Sequence, residues 1–298
     1  MAMLPLAAAA ALWSAIAAAP QPAPPQGDAL SDAEVRALVQ RAIRMQHQSD
    51  EALELFDRTE RIVDREDEKS SDTTVRTVPV GAGVERIEVH RDGQAVPQEQ
   101  IAQKWTYVLA VMESRMRTGD PAVKSAYERA AKRKEYSSKM VDAIGEAFRF
   151  RWEGRGMRAG RPVIELSYEP APQFKPRLRF SNVYRQVYGK VWIDEASGYV
   201  VRLEADLRKD IPIGGGIVGK IYKGARVEIE QAEAYPGAGV WLPTLSSYDI
   251  KGRKFLFPAS YHRQLYASEY RRIGPPAEAL ALLRNEHARA AAPENPAR

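Results

Sequence analysis

Residues 211–224, IPIGGGIVGKIYKG, hold Gly214, Gly216 and Gly219 at the spacing G-x-G-x-x-G. Gly214, Gly219 and Lys220 also satisfy all but the last position of G-x-x-x-x-G-K-[ST]. Either pattern can cradle phosphate, because glycine lets backbone N–H groups approach the anion and a helix that follows adds its N-terminal N–H groups. Here the residues that follow, KIYKGARVEIEQ, alternate apolar and polar as a strand does, and Ile221 stands where a magnesium-holding Ser or Thr is required. The stretch is therefore expected to be a glycine-rich bend between two strands, with no nucleotide and no other cofactor.

Other chemistry finds less support. His47, His90, His262 and His287 lie far apart and show no H-x-x-x-H or H-x-H spacing, so no metal site is expected. There is no G-x-S-x-G nucleophile elbow, and no spacing singles out a pair of carboxylates, so no catalytic residue is assigned. The absence of cysteine from all 298 residues excludes thiol nucleophiles, thiolate metal sites, disulfides and an acylated N-terminal cysteine. A net charge of +5 leans only weakly towards anionic partners. One stretch concentrates it: FKPRLRFSNVYRQVYGK sets Lys175, Arg177, Arg179, Arg185 and Lys190 among Phe174, Phe180, Tyr184 and Tyr188. That mixture suits an anionic membrane interface, although a solvated loop leading into a strand accounts for it more plainly; no nucleic-acid partner is expected.

The elements that would carry these residues are legible from periodicity. MLPLAAAAALWSAIAAAP is an apolar run ending in small residues, with an A-x-A site at Ala15–Ala17. This predicts a signal peptide over residues 1–17, a Pro-rich linker over 18–28 and export to the periplasm. Ser31 and Glu34 form a capping-box pattern ahead of Val35, Leu38, Val39, Ala42 and Ile43, which predicts a first amphipathic helix. Residues 53–90 read as two or three antiparallel strands. Ile101, Trp105, Val108, Met112 and Met116 mark a helix from about Gln98, and a second, more charged helix after Pro121 is expected to cover it.

From residue 147 onward strands dominate. Phe148, Phe150 and Trp152 alternate with arginines and a glutamate; so, with their own polar neighbours, do Ile164, Leu166 and Tyr168, then Val201 and Leu203, then Val227 and Ile229. One apolar and one polar face per strand is the pattern of an antiparallel sheet. Residues 273–298 read as a tail outside the core, able to hold one short helix.

The segment VYGKVWIDEASGYVVRLEADLRKDIPIGGGIVGKIYKGARVEIEQ, then GVWLPTLSSYDIKGRKFLF, resembles bacterial exported proteins of the outer-membrane lipoprotein-sorting, or LolA-like, kind. RDGQAVPQEQ, entering a helix, resembles theirs as well. The likeness spans about residues 31–272 and is strongest over 160–272. It implies an α+β fold over residues 29–272: a strongly curved antiparallel β-sheet, an incomplete barrel, covered by helices over an apolar cavity that takes acyl chains in the characterised carriers. This chain is longer and has an extended helical region at 98–148, and no functional residue of the carriers maps onto it.

With the alternation, the resemblance places Phe148, Phe150, Trp152, Ile164, Leu166, Tyr168, Val201, Leu203, Val227 and Ile229 on the concave face, opposite Trp105, Met112 and Met116. The function then expected is non-enzymatic binding of a lipid, such as the acyl chain of a lipoprotein. The alternative is a structural or sensor module that binds an envelope protein and fills the cavity with its own helices, and an envelope hydrolase stands third.

Overall fold

A computed structural model describes residues 29–291 apart from 118, 214, 215 and 256; the expected leader and linker lie outside the described residues. The first helix, α1 (Asp32–Leu53), begins as its capping box dictates. The Ser31 hydroxyl accepts from the Glu34 N–H, and the Glu34 carboxylate takes the Ser31 N–H at 2.8 Å. Four strands follow, β1 (Phe56–Glu66), β2 (Lys69–Pro79), β3 (Val84–Arg91) and the short β4 (Gln94–Ala95). Then come the helices α2 (Gln98–Arg115), α3 (Pro121–Asp142) and α4 (Ile144–Ala147).

The second half of the chain is nearly all strand: β5 (Phe148–Arg158), β6 (Arg161–Pro170), β7 (Val187–Asp194), β8 (Val200–Leu207), β9 (Ile211–Ile213) and β10 (Gly219–Ile221). It ends with β11 (Arg226–Glu233), β12 (Trp241–Lys254), β13 (Phe257–Arg272) and a last helix, α5 (Pro276–Ala291). Among the described residues these thirteen strands form one antiparallel sheet in the order β4-β3-β2-β1-β13-β12-β11-β8-β7-β6-β5, with β10 pairing β12 and β9. β4 and β5, at the two ends of the order, do not pair with each other, so the barrel is incomplete.

Cross-strand registers identify the faces. Leu166, Val191, Leu203, Ile229, Ser246, Leu265, Ile62 and Thr73 pair in succession across eight strands and so share one face. This is the inner face, because α1 packs on it: Val35, Val39, Ala42 and Ile43 join Ile164, Leu166, Val191 and Ile193 in one core cluster. On β2, Arg76 and Val78 alternate with Thr73, Val75 and Thr77 and therefore point the opposite way. There Val78 and Ile87 join Val108, Leu109 and Met112 of α2 and Ala279, Leu280 and Leu283 of α5 in a second cluster. Two helical layers thus cover opposite faces at opposite ends of one sheet.

Three sequence expectations need correction. The helix facing the strands of residues 148–229 is α1, whereas α2 with Trp105 and Met112 lies in the other layer. Both helices carry an apolar stripe, and a stripe does not say which sheet face it meets. What covers α2 is α5, while α3 packs on α1 and α4. Finally, the segment read as a tail outside the core buries Ile273 in it, along with Ala279, Leu280 and Leu283 of α5; the helix was legible, but its alanine-rich face hid the docking stripe. No helix among the described residues is long and apolar enough to cross a membrane.

Candidate ligand cavity

Between α1 and the inner face of β5–β8 and β11 lies a cavity of about 480 Å³, within the ~300–1,000 Å³ range of small-molecule sites. Its helical wall is Val39, Ala42 and Ile43, with Val141 and Ile144 from α3 and α4; its sheet wall includes Phe150, Tyr168, Leu203, Ala205 and Ile229. Aromatic packing shapes one end. Phe148 meets Tyr168 edge-on at 5.0 Å between ring centroids and Tyr184 at 5.3 Å, and Phe150 lies 5.9 Å from Tyr168. A Cβ on Gly189 would sit 1.9 Å from the Glu204 carbonyl oxygen, so glycine there lets Tyr168 cross β7 and donate to that oxygen at 2.8 Å. Burial raises the Tyr168 hydroxyl well above its ordinary pKa and pushes Tyr184 up to about 12, so both remain neutral.

The other end is polar. The Gln231 amide, 6% exposed, donates to Gln46 Oε1 at 2.8 Å, and Gln46 in turn donates to Asp50 Oδ1 at 2.8 Å. Gln231 Oε1 has no hydrogen-bond partner among the described residues. Desolvation raises the Asp50 carboxyl above its usual range, against the hydrogen bond from Gln46 and the charges of His47 and Lys134.

Of the residues expected in a cavity, Phe148, Phe150, Tyr168, Leu203 and Ile229 are brought together on its wall. Ile164 and Leu166 lie in the packed core beside it, and Trp152 packs at the margin of that core with the Arg155 guanidinium 5.2 Å from its ring. Val227 pairs with Ala205 and shares the inner face but lies outside the cavity wall. Val201 is the extra residue of a β-bulge: Trp192 pairs with Arg202 but Ile193 with Val200, so Val200 takes the wall position. Trp105 and Met112 are in the second layer, and Met116 is exposed past the end of α2. The wall contributed by α1 was not assigned from sequence, although its stripe was visible there as a helix.

A groove of about 750 Å³ adjoins the cavity and shares Val39, Phe148 and Phe150 with it. Lys175 and Arg177 of the basic and aromatic stretch stand there with Arg36, Arg149 and Arg151, the last two both bound to Glu169 at 2.9 and 2.8 Å. Arg179 and Lys190 of the same stretch are occupied elsewhere, over the Phe180 ring and on Glu165.

Reactive constellations are sparse. His47 pairs with Asp142 at 2.7 Å, and among the described residues no hydrogen bond joins it to a serine or threonine hydroxyl. The described residues contain no group of three His, Asp or Glu able to hold a metal ion. Of the glycine run, Gly219 opens a strand, not a helix, and Lys220 pairs with Asp210 at 2.8 Å, which lowers the Asp210 carboxyl pKa.

No family profile matches the chain, and no curated protein matches it in sequence. Solved structures do. One is a DUF1329 family protein from Desulfovibrio piger, with 10% identity, a TM-score of 0.29, and 80% of this chain and 92% of that one covered. Another is an outer membrane lipoprotein-sorting protein domain from Vibrio parahaemolyticus, with 12% identity, a TM-score of 0.28, and 78% and 92% covered. A third is the Pseudomonas aeruginosa MucA/MucB complex, with 9% identity, a TM-score of 0.23, and 79% and 94% covered. At TM-scores this low they decide neither ligand nor partner.

Proposed function

We propose that this protein is a non-enzymatic binding protein of the periplasm that takes a lipid or the acyl chain of a lipoprotein. The observation that carries the reading is the cavity: α1 covers the inner face of β5–β8 without filling it, leaving about 480 Å³ bounded by Val39, Ile43, Phe150, Leu203 and Ile229. Each methylene moved from water into such a space gains about 0.8 kcal/mol. Export is supported by the leader-like run at residues 1–17. Titration with a fluorescent fatty acid tests the proposal, with Ala205→Phe as the variant that plugs the wall. Wild type is expected to bind saturably, and Ala205→Phe to bind at least tenfold more weakly while remaining folded. A wild type that takes up no probe and yields no lipid on organic extraction would replace the carrier by a structural or sensor module that binds an envelope protein.

A further inference from the structure

The glycine run and the turn between the two longest strands meet at one end of the sheet. β10 pairs β12 through Gly219↔Lys254 and Ile221↔Gly252, while β9 pairs β10 on its other side. Glycine is required at this contact, since a Cβ on Gly219 would lie 2.6 Å from the Arg253 carbonyl oxygen and one on Gly252 2.2 Å from that of Lys220. The loops themselves are tied together: the Phe255 N–H donates to the Val218 carbonyl at 2.9 Å, and Arg253 to the Gly216 carbonyl at 2.8 Å. The β1–β13 pairing stops at Glu66↔Tyr261 and the β1–β2 turn reaches Ser260, so β13 continues through Phe257–Ala259 with nothing of β1 or its turn bonded to it. At strand rise these three residues project roughly 10 Å.

The end of this tongue is apolar and bare. Ile217 is 79% exposed, Phe257 75%, Phe255 54% and Val218 47%. Behind it stand Lys223, Lys251 and Lys254, all exposed; Lys223 lies beside Asp210, which accepts its backbone N–H at 2.8 Å. Lys220 is taken by Asp210. The acids Glu66, Asp67 and Glu68 belong to the β1–β2 turn, which ends level with Ser260 through the Asp67 N–H to Ser260 carbonyl bond. An approaching surface therefore meets the apolar tip and Lys254 first, with Lys251 and Lys223 level with that turn. A protein partner normally buries about 800 Å² per side, more than two loop ends offer, whereas a bilayer interface accepts apolar side chains to ~5–10 Å and draws in the cations behind them.

We infer that the tongue formed where residues 216–218 meet Lys254, Phe255 and Phe257 docks the protein peripherally on an anionic lipid surface, inserting Ile217, Phe255 and Phe257 with Lys254 at the headgroups and Lys223 and Lys251 behind it. This is independent of what the cavity holds, and the surface is distinct from the basic stretch at residues 174–190. The test is co-sedimentation of the full chain with phosphatidylcholine vesicles, with and without phosphatidylglycerol. Wild type is expected to bind the anionic vesicles, and raised salt to weaken binding. Ile217→Ser with Phe257→Ser should weaken it at least tenfold, Lys251→Glu with Lys254→Glu comparably, and Met157→Ser, an exposed apolar change on β5, not at all. All these positions are exposed, so the variants should keep the wild-type fold, checked by circular dichroism. Absence of wild-type binding, or equal binding by the Ile217/Phe257 variant, overturns the inference. So does a wild-type dimer that this variant dissociates, which would assign the tip to self-association.

Discussion

Phe150 on the cavity wall and Leu166 in the core beside it distinguish a ligand cavity from ordinary packing. Phe150 is half-buried and faces the cavity, whereas Leu166 is fully buried beside it. Leu166→Ala should cost the ~2–5 kcal/mol of a core leucine, while Phe150→Ala should cost clearly less than the ~3–5 kcal/mol of a core phenylalanine and still weaken fatty-acid uptake. Urea denaturation of both variants, with the probe titration, checks this; a full core penalty at Phe150 without a change in uptake would make the wall ordinary packing. Asp50 allows a pH test. Its folded-state pKa is raised, chiefly by desolvation, so its charge costs stability above that pKa, and the cost fades as pH falls through it towards the ordinary carboxylate value of about 3.9. Asp50→Asn keeps an acceptor for Gln46 and should therefore be more stable than wild type at about pH 7, with the gap closing near about pH 4. Denaturant midpoints at both pH values decide it, and a variant less stable at neutral pH would mean that His47, Lys134 and Gln46 outweigh the desolvation.

At the scale of elements, period was readable and partnership was not. The capping box at Ser31 and the two-residue alternation of β5, β6 and β11 sufficed to place helix and strands, because local backbone chemistry and a half-wet sheet leave direct marks on sequence. The bulge at Val201 left none: one extra residue reverses the parity of everything before it, so Val200 and not Val201 reaches the wall. Nor did anything in the stripes of α1 and α2 say which would lie on the inner face. α5 shows the same limit, its docking stripe reduced to Ala279, Leu280 and Leu283 among alanines. Because Leu283 is 1% exposed beneath α2, Leu283→Ala should destabilise the protein by ~2–5 kcal/mol, whereas a true tail residue would change stability by less than ~0.5 kcal/mol. Thermal or urea unfolding of this one variant distinguishes the two.

Across the whole molecule, β1 near the start of the chain pairs with β13 near its end, through registers such as Ile62↔Leu265, and this ladder stands between the two helical layers. A sheet closed by contacts so distant in sequence must pay the loop-closure entropy before most of its ladders form, which slows folding. The same joint makes each layer depend on the other. If the α1 layer opens, β5–β8 lose their cover; if the α2–α5 layer opens, β2 and β3 lose theirs; either exposes ladders continuous with the β1–β13 pair. We therefore expect one cooperative unfolding transition, although chains of this length often unfold in steps. Trp105, in the second layer, and Trp152, at the margin of the first, allow the layers to be followed separately once each is isolated by replacing the other tryptophans with Phe. Their emission should change at the same urea concentration, and Leu166→Ala and Leu283→Ala should each shift both signals together. Midpoints that separate, or a variant that moves only the tryptophan of its own layer, would show that the continuous sheet does not couple the two cores.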